Sequence, residues 1–126
     1  MRESINMGGF TQVDNFLLDH IIPTLSLPAQ SVFLRIWRQI VGWQSRSQES
    51  DKISHTQFTK YTGIQSHNTI NKAIDELKYR ELVHVEEHGT NPREFFIRWD
   101  TLTKLSELYR TQPGTQLRFS TFNVDN

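Results

Sequence analysis

The chain has 126 residues, 14 basic and 14 acidic side chains, no cysteine and a hydrophobic share of 36%. That length suits one domain with a single core, and the missing cysteines exclude both a disulfide framework and a thiolate zinc site. No apolar run approaches the roughly 18–20 residues needed to span a bilayer, and Met1 to Asn6 lacks the apolar stretch of a signal peptide. A soluble, cytoplasmic protein is therefore expected.

Net charge is zero but unevenly spread. Residues 1–30 carry one basic and three acidic side chains, residues 31–80 eight and four, and residues 81–126 five and seven. The positive balance sits in the middle, and phosphate binding needs a local basic surface rather than a basic protein.

Residues 1–9 are polar, end in Gly8-Gly9, and read as a flexible arm. A short helix follows, capped by Asp14 or Asn15, with Phe16, Leu17, Ile21 and Ile22 inward and Pro23 as its stop. A second helix is predicted from Pro28 to Val41. Ala29, Val32, Phe33, Ile36, Trp37 and Ile40 recur on one stripe, Arg35, Arg38 and Gln39 face out, and Gly42 ends it. A polar loop then leads to a short strand near Ile53.

Ser54 opens the next helix with Gln57 three residues on, a capping-box spacing, and Phe58 and Tyr61 can point inward. Thr62-Gly63-Ile64-Gln65 forms a break, with Gly63 free to turn left-handed and Ile64 to plug the core. Ser66 caps a longer helix to about Arg80, with Ile70, Ala73, Ile74 and Leu77 on one stripe. Two strands, Leu82–Glu87 and Arg93–Trp99, are joined by a turn through residues 88–92. Asp100 can cap a last helix through Leu102, Leu105 and Leu108. Residues 111–126 read as a flexible tail, whose Leu117, Phe119 and Phe122 can dock on a partner or a second subunit.

A short helix, a glycine-containing break, a longer helix and then a β-hairpin make up a winged helix-turn-helix, so the fold expected is mainly α with a small β-hairpin (α+β). The domain should cover residues 10–110. At about 100° per residue, Asn68, Lys72, Asp75 and Tyr79 lie opposite the apolar stripe, with Asn71 and Lys78 on the flank. Asn68 and Asn71 can each pair with an adenine edge, and Lys72 can reach a guanine edge or a phosphate. Ser54, Thr56, Gln57, Lys60, Ser66, His67 and Thr69 are candidate phosphate contacts, with Arg93 and His88 added from the wing. Such contacts position the protein, whereas base-edge contacts specify sequence. Asp75 marks where close approach should stop.

Competing readings attach to other residues. Polar side chains on an open helix face can be plain solvated surface, and Trp37, Trp43 and Trp99 read as core or subcore rather than base-stacking platforms. His84 and His88 share one side of a strand, but with no third ligand within sequence reach they are read as structural or solvent-facing histidines. No nucleophile triad, phosphate loop or carboxylate pair is visible, so neither an enzyme nor a cofactor is expected.

Phe10-Thr11-Gln12-Val13-Asp14-Asn15-Phe16-Leu17-Leu18 resembles the opening of the N-terminal domain of the lambda-type phage replication protein O family. The resemblance continues through the first long helix into Val41-Gly42-Trp43, then through Asp51-Lys52-Ile53-Ser54, Tyr61-Thr62-Gly63-Ile64 and the helix from Ser66 to Leu77, covering roughly residues 9–87. Other winged helix proteins of mobile elements share the Thr-Gly-Ile break. The resemblance implies sequence-specific binding to repeats at a replication origin, as a homodimer, with a further region recruiting helicase-loading partners. It places DNA reading on Ser66 to Lys72. Where that family often has arginines after the capping serine, this chain has His67 and Asn68. The chain stops at residue 126, short of a helicase-recruiting region, so a fragment or a stand-alone regulator is expected. A transcriptional repressor using the same surface, or a winged helix used for protein–protein assembly, are the alternatives.

Overall fold

The computed structural model describes residues 9–42 and 49–111. Residues 1–8 of the arm, Trp43, the polar loop through residue 48, and residues 112–126 of the tail with Leu117, Phe119 and Phe122 lie outside the described residues.

Leu17–Ile21 forms a wide π-turn rather than an α-helix, with Leu17 and Ile21 buried. Pro23 does not end it but continues it, inside a 3-10 turn over Ile22–Thr24. Helix α1 spans Leu27–Val41 and is capped by Ser26, whose hydroxyl accepts from the Ala29 amide. Pro28 falls in its first turn, where no amide partner is lost. The predicted stripe is buried, but Gln39 is buried with it, donating to Asp51 at 2.9 Å. An amide in the core needs that partner, and the expectation that Gln39 faces out is corrected.

Strand β1 covers Ser50–Ile53. Helix α2, His55–Thr62, starts with the full reciprocal capping box of Ser54 and Gln57 and ends at Gly63 with φ 78°. Tyr61 is not inward. It is 51% exposed, and the Arg35 guanidinium lies 4.1 Å from its ring centre. A cation over one face of a half-exposed ring is a favourable arrangement.

Helix α3, His67–Tyr79, is capped by Ser66, and Ile70, Ala73, Ile74 and Leu77 enter the core. It ends in a Schellman motif, with Leu82 N donating to Leu77 O and Glu81 N to Lys78 O. Strands β2, Val83–His88, and β3, Asn91–Ile97, then form the hairpin. Its turn is shorter than the sequence suggested, because Asn91 and Pro92 already belong to β3. The described strands make one antiparallel sheet in the order β1-β3-β2, so the strand at Ile53 completes the hairpin's free edge.

Helix α4, Trp99–Thr111, begins one residue ahead of Asp100. Asp100 is thus a first-turn residue, not its cap, and takes a two-pronged bond from Arg98 at 3.0 and 2.9 Å. Trp99 is half-exposed, resting edge-on against buried Trp37. Leu102 is buried, Leu105 packs partly against the core and Leu108 is largely exposed.

Helices α1 to α3 and the inner face of the sheet, through Ile53, Val83, Phe95 and Ile97, share one apolar core. The order of elements is α+β and winged-helix-like. Among the described residues, no helix is long and apolar enough to cross a membrane.

Candidate nucleic-acid interface

Side chains on α3 are sorted by its apolar stripe. With Ile70, Ala73, Ile74 and Leu77 inward, Asn68, Asn71, Lys72 and Asp75 are left exposed on the opposite side. No acidic residue occupies the first turn of α3, so the partial positive charge of that helix end is not offset locally. One flank of the exposed face borders the start of α1, across a groove of about 430 Å³ lined by Pro28, Thr69, Lys72 and Asp75. The other flank borders the wing.

That second flank is tied down by side chains from three elements. Arg93 on β3 donates from Nη2 to Asn71 Oδ1 at 3.1 Å and lies 3.1 Å from His55 Nε2. His55 Nε2 is itself 2.9 Å from Asn71 Oδ1. The His55 ring meets the His67 ring edge-on, centres 4.6 Å apart. Burial, foremost, together with the cationic Arg93 and neighbouring His67, lowers the His55 pKa below the ordinary histidine value, against the opposing bond to Asn71. At neutral pH the cluster thus holds a neutral imidazole beside a guanidinium.

A register shift in the hairpin explains how Arg93 gets there. Glu86 pairs with Glu94 and His88 with Asn91, so the one residue between them on β2 faces both Pro92 and Arg93 on β3. An extra residue of this kind bends a strand and re-aims its side chains. A proline tolerates the position because no ladder amide is required of it.

The other candidates fall into distinct groups. Thr56, Lys60, Ser66, His67 and Asn68 are exposed, and Thr69 is half-buried. Ser54 and Gln57 hold each other in the capping box, and the Ser66 hydroxyl accepts from Thr69 N. Their side-chain oxygens therefore already serve the helix ends. Lys60 sits beside Tyr61 toward the end of α2, its ammonium 5.2 Å from the ring centre. His88 is placed apart from the rest. Its Nε2 lies 2.8 Å from Glu94 Oε1, on the sheet face opposite Phe95.

His55 was missed in the sequence. Its position, first in a helix opened by Ser54, was a usable signal, because such a residue projects beside the helix end where an anion would approach. The wing also carries Glu86 and Glu87, the latter 3.9 Å from Arg93 Nη1, which tempers the positive field there.

No protein-family profile, curated protein or solved structure matches the chain.

Proposed function

We propose that this chain binds double-stranded DNA sequence-specifically, with the N-terminal half of α3 in the major groove and the β2–β3 hairpin against the flanking backbone. The observation that carries this reading is the exposed Asn68, Asn71 and Lys72 face, bordered by a wing whose Arg93 is locked onto Asn71. Asn68 and Lys72 supply base-edge donors and acceptors, and Asn71, whose Oδ1 already accepts from Arg93, supplies its Nδ2 donor, while Lys60, Arg93 and the α3 N-terminus supply phosphate contacts. Asp75, one turn further along α3, repels phosphate and limits how deep the helix can sit.

The resemblance to the phage replication protein O family supports a role in replication initiation, or its control, in a phage or plasmid. A repressor would use the same surface, so the choice of process rests on that resemblance. Fluorescence anisotropy with duplex from the neighbouring intergenic DNA tests the binding itself. With Lys60 and Arg93 as the phosphate-neutralising cations, log affinity should fall with log salt at a slope of about −1.8, roughly sevenfold for each threefold rise in salt. A slope near zero, or no binding at low salt, overturns the proposal.

A further inference from the structure

The outer face of the hairpin holds a second cluster, built around His88 and set apart from the α3 face. Glu86 on β2 stands directly opposite Glu94 on β3, so two carboxylates share one cross-strand position. Like charges so placed destabilise a hairpin unless something neutralises them. His88 reaches the same spot, with Nε2 2.8 Å from Glu94 Oε1, and His84 Nε2 lies 3.3 Å from Glu86 Oε2. One ligand atom from each of Glu86, His88 and Glu94 lies within 4.8 Å of the others.

We propose that Glu86, His88 and Glu94 form a binding site for a divalent transition-metal ion on the outer face of the wing. Bonds of about 2.0–2.2 Å around zinc set ligand atoms some 3–4 Å apart, so small rotations of exposed or half-exposed side chains close the cluster. One imidazole with two carboxylates suits zinc, cobalt or nickel better than calcium or magnesium, which take oxygen alone. His84, already beside Glu86, is the available fourth ligand.

A supporting shell is in place. Ser50 on β1 donates its hydroxyl to Glu94 Oε2, which orients the carboxylate and leaves Oε1 toward His88. Ligating carboxylates are commonly held this way by a partner that does not itself touch the metal. Lys52 on β1 pairs with Glu94 on β3 and offsets part of its charge, which lowers affinity. The site is separate from the α3 face, and its test does not depend on DNA binding.

The chain has five histidines and no cysteine, which makes a direct test possible. Zinc chloride is titrated into the full chain by calorimetry, alongside histidine-ring NMR of the unsubstituted protein. The expected result is one zinc per chain, movement of the His88 ring with His20, His55 and His67 unmoved, and at least tenfold weaker binding in Glu94→Gln and His88→Ala. A shift of His84 as well would identify the fourth ligand. Binding unaffected by Glu94→Gln, zinc-induced shifts confined to His55 and His67, or no heat of binding each overturns the site. The ring spectra serve if a variant fails to fold.

Discussion

Arg93 Nη2 donates to Asn71 Oδ1 across 3.1 Å, so the wing and the exposed face of α3 are one surface rather than two. Arg93 is only 20% exposed and also lies against His55. Arg93→Ala should cost about 1 kcal/mol in denaturant unfolding, since a partly buried charged donor is lost. Arg93→Lys should recover little of this, because an ammonium cannot reproduce the guanidinium fork. In DNA titrations, both variants should weaken binding and, with the hold on Asn71 lost, relax base preference as well.

Glu81 holds a left-handed backbone, φ 59°, at the end of α3, where the Schellman motif favours glycine. Glu81→Gly should raise unfolding stability by about 1 kcal/mol, through relief of that conformation. The substitution also removes an ion pair with Arg98, but that pair is long, at 3.9 Å, and exposed, so its removal subtracts little. Chemical denaturation checks the sign.

Buried Glu76 accepts from the Ser26 amide at 2.9 Å and the Ser26 hydroxyl at 2.6 Å, joining α3 to the first turn of α1. A carboxylate there faces the positive end of α1. Glu76→Ala should destabilise by about 3 kcal/mol, because buried donors lose a charged acceptor. Glu76→Gln, which keeps one acceptor oxygen, should lose about half as much. Thermal melts of the two variants order them.

His55 titrates below the ordinary histidine value in the folded chain, chiefly through burial. The unfolded chain therefore takes up this proton first, and stability should fall as pH drops through the ordinary histidine range. Bound phosphate would favour the imidazolium, so DNA affinity should rise over the same interval. NMR titration with and without duplex measures both. Raised His55 titration in the complex, and a flatter pH profile for His55→Gln, are expected; an unchanged His55 midpoint contradicts its place at the interface.

Elements whose signals are local could be read from sequence. Ser54 with Gln57, Gly63, Ser66 and the stripe from Ile70 to Leu77 each announce themselves within one or two turns, and the structure shows them in those roles. What stayed hidden depends on distant partners. Gln39 is buried because Asp51, 12 residues on, awaits it, and Glu76 because Ser26 lies 50 residues back. The bulge that carries Arg93 to Asn71 depends on strand register, which spacing alone does not reveal. The outer-face cluster was partly legible. His84, Glu86 and His88 alternate along one strand, but Glu94 joins them only once the hairpin is paired.

The most direct test of DNA reading by α3 is the Asn68→Ala/Lys72→Ala double variant, titrated against cognate and scrambled duplexes at two salt concentrations. Both residues are exposed and outside the core, so folding should be kept. Loss of cognate preference is expected, because each good base contact contributes about 1–3 kcal/mol of discrimination. A double variant that binds the cognate duplex with unchanged affinity and preference would contradict the reading.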